Sequence, residues 1–236
     1  MADRAPASRV PTYTAAQVRA AEKPLLEAGE PLMRRAATAL AALVAEELGG
    51  AGGRVLVLAG SGDNGGDALF AAAEVADAPG VAVDVLLTSA RVHESALGAA
   101  VAAGARRVDL PEVLAAASDY DVVLDGILGI GASTDPALRG TARTVVEGLL
   151  PAVRAGGPRV IAVDLPSGLQ PDDGSSDGVV LPASITVTFG AVKSGLTVGS
   201  GPERAGAILL VDLGLTPALS DAEPAGSASV AAVIPG

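Results

Sequence analysis

The sequence predicts an α/β fold, a Rossmann-like three-layer α/β/α sandwich built on a mostly parallel sheet. Three observations carry that expectation. Short apolar runs dense in Val, Leu and Ile alternate with helical patterns through most of the 236 residues, the rhythm of a doubly wound sheet. Two tyrosines and two phenylalanines (Tyr13, Tyr120, Phe70 and Phe189) are the whole aromatic content, so the core must be packed from small aliphatic side chains. That suits helices laid on parallel strands buried on both faces. The length fits one large domain and leaves little room for a second.

In chain order, residues 1–12 carry prolines and scattered charges and read as a flexible arm. Thr14 opens a helix, its hydroxyl placed to cap the free amides of the first turn. A second helix spans residues 31–48, with Leu32, Ala36, Leu40, Leu43 and Ala45 close to one face and Gly49-Gly50 at its end. The run RVLVLA at 54–59, bounded by glycines, reads as a buried strand. Further strands are expected at 81–87, 106–110, 121–125, 159–165, 184–189 and 207–212, with helices at 67–78, 93–103, 111–117 and 141–154. The domain so defined covers residues 13–217. Residues 218–236, rich in Pro, Ala, Ser, Gly and acids, have the composition of a linker or tail. That stretch closes on the apolar run Val230 to Ile234, for which the alternative is an edge strand added to the domain.

The absence of cysteine excludes disulfides, thiolate nucleophiles and cysteine-bound metals. His93 is the single histidine, so no multi-histidine zinc site exists, and its polar neighbours suggest a solvated surface role. A formal net charge of −11 argues against nucleic acid as a partner, because duplex binding depends on clustered Lys and Arg. The polar N-terminus lacks a signal-peptide core, and the Ala-rich stretch 36–45 is too short to span a bilayer. A cytoplasmic protein with no membrane partner is the natural expectation.

Open α/β sheets bind ligands beyond the carboxyl ends of their strands. After the first predicted strand comes GSGDNGGDA, in which Gly60, Gly62 and Gly65 satisfy G-x-G-x-x-G between strand and helix. The match is weak alone. The acid of a dinucleotide fold, about twenty residues on at the tip of the second strand, is missing, and Thr88, Ser89 and Arg91 stand there instead. Asp63 and Asp67 would repel a pyrophosphate unless a cation intervenes, and a tight turn with Asp67 capping a helix explains the same residues. The strand at 121–125 ends in Asp125 and runs into GILGIGAS; the strand at 159–165 carries Asp164 near its tip and runs into PSG. Two carboxylates at neighbouring strand tips can separate into a protonated acid and an ionised base, or bind a cation. Lys193, after the next strand, either counters a phosphate or is simply solvated.

Together the stretches GSGDNGGDAL, VVLDGILGIG, VIAVDLPSG and ITVTFGAVKSGL resemble the NAD(P)H-hydrate epimerase family, also called the YjeF N-terminal domain, in that order and over nearly the whole chain. The resemblance implies an isomerase that interconverts the R and S epimers of hydrated NADH and NADPH (NADHX and NADPHX) at C6. A dehydratase, separate or fused, then restores the cofactor. It implies a homodimer, and a potassium ion (K+) held by Asn64, Asp125 and Ser167, whose oxygens suit a hard alkali cation. It gives the substrate Asp63, Asn64, Gly65, Gly66 and Asp67, then Gly129, Ile130, Gly131, Ala132, Ser133, Thr134 and Asp135, and a contact with Asp164. We expect Asp164, at a solvent-reachable strand tip, to perform the catalytic proton transfer.

Three positions depart from the family pattern: Asp63 where Asn is usual, Ala68 where Gly is usual, and a segment 131–136 without the usual basic residue, which Arg139 is placed to replace. Two rivals remain. A non-catalytic nucleotide-binding or scaffold module of the same fold would be expected to have lost the acids or oxygen ligands, and all are present. An ordinary NAD-dependent dehydrogenase lacks here both the ribose acid and an acid for hydride transfer.

Overall fold

The computed structural model describes residues 8–131 and 135–236. The chain runs through β1 (Ser8–Tyr13), α1 (Ala15–Glu27), α2 (Leu32–Leu48), β2 (Gly53–Ala59), α3 (Asp63–Ala76) and β3 (Val81–Leu87). Then follow α4 (Glu94–Ala102), β4 (Arg106–Arg107), α5 (Leu110–Ala115), β5 (Val122–Gly126), α6 (Gly140–Arg154) and β6 (Arg159–Val163). The last third holds β7 (Ile185–Phe189), β8 (Val192–Lys193), α7 (Gly201–Arg204), β9 (Ala207–Asp212), α8 (Thr216–Leu219), β10 (Gly226–Val230) and β11 (Ala232–Pro235).

Eight strands form one sheet in the order β11-β9-β7-β6-β5-β2-β3-β4, and every neighbouring pair is parallel. From β2 the chain winds outward to β4, then returns to β5 on the other side of β2 and winds out to β11. The order therefore reverses between β2 and β5, the switch point at which open α/β sheets form a ligand crevice. Strand alternation sorts the core into two. Val55 and Val57 of β2 pack with α2, α3 and α4, while Leu56 and Leu58 pack with Val113 of α5 and the Val145, Val146, Leu149 stripe of α6. The three-layer α/β/α architecture expected from the sequence is the one found. Among the described residues no helix is long and apolar enough to cross a membrane.

Some boundaries differ from expectation, each for a physical reason. The helix expected from residue 67 begins at Asp63, so the second half of the glycine stretch is helix rather than loop. The strand expected to 165 stops at Val163, because Asp164 turns to φ 67° and leaves the ladder. The strand expected at 106–110 has only two residues, since Asp109 caps α5 by accepting from the Glu112 amide. His93 is a cap too: its Nδ1 accepts from the Ala96 amide at the start of α4.

The two chain ends need a larger correction. The arm expected over 1–12 contains β1, which pairs antiparallel with β10 and parallel with β8 in a second, three-stranded sheet; residues 1–7 lie outside the described residues. The linker expected from 218 contains β10 and β11, and β11 extends the main sheet beside β9, in line with the edge-strand alternative for Val230 to Ile234. In GSASV, Ala228 and Val230 point inward and the serines outward, an alternation hidden by small residues. Truncation at Pro217 is expected to lower the melting temperature. Losing the buried Val230 and Ala228 side chains alone forfeits about 3 kcal/mol, or roughly 6–12 °C for a domain of this size. Limited proteolysis should leave 226–235 intact. Ready cleavage there, with unchanged melting after truncation, would restore the linker reading.

Candidate active site

The loops after β2, β5 and β6 meet beyond the switch point and enclose a cleft of about 330 Å³. One wall is the start of α3, where Gly62 is the N-cap without a side-chain cap and the first-turn amides face the opening. Because the helix starts at Asp63, Asn64 and Asp67 lie one turn apart on the same face, and both are buried at the cleft. Glycine makes this wall possible. A Cβ on Gly65 would stand 2.1 Å from the Gly60 carbonyl oxygen, so only glycine lets α3 rest against the end of β2. Across the cleft, a Cβ on Gly129 would stand 2.1 Å from Asn64 Oδ1.

Behind this wall, the side chains of Asn64 and Ser167 converge on one backbone carbonyl, that of Leu128, and Asp125 holds the Ser167 backbone. Asn64 Nδ2 donates to Leu128 O at 3.0 Å and to Val163 O at 2.6 Å, tying α3 to the loop after β5 and the end of β6. Ser167 Oγ accepts from the Leu128 amide at 2.9 Å and donates to Leu128 O at 3.4 Å. Asp125 Oδ2 accepts from the Ser167 amide at 2.9 Å. Asp125 is fully buried, and burial pushes its carboxyl up despite the hydrogen bonds from Ser167 and the Ile127 amide; among the described residues no basic side chain counters it. Among the described residues no group of three His, Cys, Asp or Glu is arranged to hold a metal. This cluster is of another kind, one carboxylate with neutral oxygens.

The floor of the cleft is Asp164. It is 3% exposed, not the open strand tip expected from the sequence. Its Oδ1 accepts from Thr188 Oγ1 and the Phe189 amide, each at 3.2 Å, and from Lys193 Nζ in a close ion pair. Oδ2 takes none of these donors, and Asp164 is one of the residues lining the cleft. The positive φ of Asp164 aims the carboxylate back toward β7 and β8, and Asp tolerates that backbone region better than most residues. Lys193 is 1% exposed, and its remaining partners are Phe189 O at 2.9 Å and Thr188 Oγ1 at 3.3 Å. Neither sequence reading of Lys193 holds, because its charge is buried and answered by Asp164.

Of the residues expected to bind substrate, Asp63, Asn64, Asp67, Gly129, Ile130, Gly131 and Asp164 line the cleft. Gly65 and Gly66 do not, since they face the Gly60 carbonyl and the Met33 side chain. Asp135 lies in an adjoining hollow with Arg139, Thr88 and Ser89, which shares Ser61, Ile127 and Leu128 with the cleft. Ala132, Ser133 and Thr134 lie outside the described residues. Sequence reasoning missed Glu22 of α1, which also lines the cleft and whose carboxyl is pushed up by burial first, while Lys193 and Arg19 pull it down and Asp164 and Asp63 raise it further. A signal was present: Glu22 lies in the helical stripe Val18, Ala21, Leu25 that packs inward.

Residues 29–195 match the model of a family described as YjeF-related protein N-terminus. The chain is 58% identical over 228 residues to a protein of Microbacterium testaceum named NAD(P)H-hydrate epimerase, covering 97% of this chain and 88% of that relative. A protein of the same name from Clavibacter michiganensis is 52% identical, covering 90% of this chain and 93% of its own. A bifunctional NAD(P)H-hydrate repair enzyme of Mycobacterium tuberculosis is 39% identical over 89% of this chain, which spans 42% of that relative. The crystal structure of the yeast protein ynu0 superposes with a TM-score of 0.69 at 20% identity, covering 81% of this chain and 85% of that one, a likeness of fold.

Proposed function

We propose that this chain, which belongs to the YjeF-related N-terminal family, is an NAD(P)H-hydrate epimerase that interconverts the R and S forms of NADHX and NADPHX. It is an isomerase, and a dehydratase, fused or separate, consumes its product. The observation that supports the chemistry best is Asp164, a cleft-lining carboxylate at the switch point held by a buried lysine. The substrate lies against Asp63, Asn64, Asp67, Gly129, Ile130 and Gly131, with its phosphates near the first-turn amides of α3. The C6 hydroxyl sits beside the ring nitrogen, whose lone pair expels it to leave an iminium-like centre. Water returning on the other face gives the opposite epimer, and Asp164 takes its proton. Retention of Asn64, Asp125, Asp164 and Ser167 favours this enzyme over a scaffold of the same fold. The test is conversion of R-NADPHX to S-NADPHX by purified protein; a rate equal to the uncatalysed one would overturn it.

Asn64, Asp125 and Ser167 fit a potassium ion, because a fully buried carboxylate, with no basic partner among the described residues, stands among neutral oxygens. When bound, the ion supplies a fixed positive charge that draws together the loops after β2, β5 and β6. Potassium should therefore raise the melting temperature. At a hundred times its Kd the gain is about 2.7 kcal/mol, or roughly 5–11 °C. In Asp125→Ala the gain should vanish. Melting of the wild type that is indifferent to potassium, against choline at equal ionic strength, would reject the site. The homodimer expected from the family is tested by sedimentation.

A further inference from the structure

We propose that Asp67 is the catalytic acid of the epimerisation, protonating the departing C6 hydroxyl while Asp164 takes the proton of the incoming water. The assignment rests on the epimerase reading above. Asp67 is 7% exposed, and among the described residues no hydrogen bond or ion pair reaches its carboxyl. What exposure it keeps is to the cleft and to a hollow beside it, lined by Leu32, Met33, Ala36 and Phe189 together with the acids Glu22 and Asp63. A carboxylate without donors in such a place is costly to ionise, whereas a carboxylic acid there keeps a proton to give.

The surrounding charges agree with the geometry. Glu22 of α1, Asp63 of α3 itself and Asp164 after β6 face Asp67, with Lys193 of β8 as the opposing charge. From α2, Arg34 lies over the Phe70 ring, and His93 at the start of α4 packs edge-on to the same ring. Burial first, then Asp164, Asp63 and Glu22, push the Asp67 carboxyl well above the usual carboxylate range, against the pull of Lys193. Asp164 has three donors on one oxygen where Asp67 has none. Two carboxyls in one cleft with environments this different are suited to opposite roles.

The step balances. The C6–O bond breaks with its electrons on oxygen, which takes the Asp67 proton and leaves as water; the ring-nitrogen lone pair stabilises the cation at C6. A water on the other face forms the new C6–O bond and gives its extra proton to Asp164. The pair ends with the proton exchanged, ready for the reverse epimer or for resetting by water in the cleft.

The experiment is the pH dependence of kcat/KM for wild type and Asp67→Asn on R-NADHX, with melting curves alongside. Asp67→Asn is expected to slow conversion by about a hundredfold to ten-thousandfold and to remove the loss of activity on the alkaline side, with Asp67→Glu restoring part of the rate. Stability should move the other way. A carboxyl raised in the folded state stabilises below its unfolded value, and that contribution is lost as pH rises through the folded one. Asp67→Asn should thus melt higher than wild type near neutral pH and gain less at pH 4. A variant within threefold of wild type, or a wild-type profile flat on the alkaline side up to unfolding, overturns the proposal while leaving the epimerase intact. Wild-type protein no faster than the uncatalysed reaction overturns the epimerase reading and this assignment with it.

Discussion

Asp164→Asn is expected to reduce epimerisation by about a hundredfold to ten-thousandfold, the usual contribution of a positioned proton-transfer group, while the protein still folds. Asparagine is the informative substitution because the backbone at this position has φ 67°, which Asn adopts nearly as readily as Asp and which alanine resists. Its amide oxygen still accepts from Thr188 Oγ1, the Phe189 amide and Lys193, so the loops keep their attachments. The fold is nonetheless weakened, since a buried ammonium loses its countercharge. Removing one member of a buried pair costs about 3–5 kcal/mol, and the retained acceptor places this variant toward the lower end. A fall in rate must therefore be read on protein shown to be folded at the assay temperature. Folded Asp164→Asn at wild-type rate would move the base elsewhere, with Asp125 next by position but excluded from the cleft wall by its burial.

The parts of this molecule that the sequence makes legible are those whose burial has a short period. Val55, Leu56, Val57 and Leu58 are buried on both faces, so β2 reads as one apolar run, and the residues that follow it are found by position alone. Asp125 and Asp164 were visible for the same reason, as acids at the ends of such runs. The start of α3 was not, because glycines at 65 and 66 ordinarily mark a loop, and their use here is to let a helix approach the Gly60 carbonyl. Lys193 was ambiguous because its burial is non-local: β8 is covered by β1, some 180 residues away, and its charge is met by a strand tip 29 residues earlier. Glu22 was legible but overlooked, a charge set in an apolar stripe. The strand at 226–230 was obscured by Gly, Ser and Ala, whose small side chains alternate without a hydropathy signal strong enough to outweigh linker composition, whereas the apolar run that becomes β11 was legible as an edge strand.

Lys193→Met tests the other half of the buried pair, and a loss of both stability and activity is expected. Methionine is close to lysine in length but cannot donate, so Asp164 loses its ion pair and Phe189 O loses a 2.9 Å donor. The stability loss should be about 3–5 kcal/mol, roughly 6–20 °C in melting temperature. With the ammonium gone, the carboxylate that takes the proton of the incoming water loses its strongest attachment. Activity should then fall at least about a hundredfold. Asp164→Asn combined with Lys193→Met removes both charges and should melt above the sum of the two single losses. Additive losses, or a Lys193→Met variant as active as wild type, would show that Lys193 only fills the core and that something else holds the Asp164 carboxylate at the cleft.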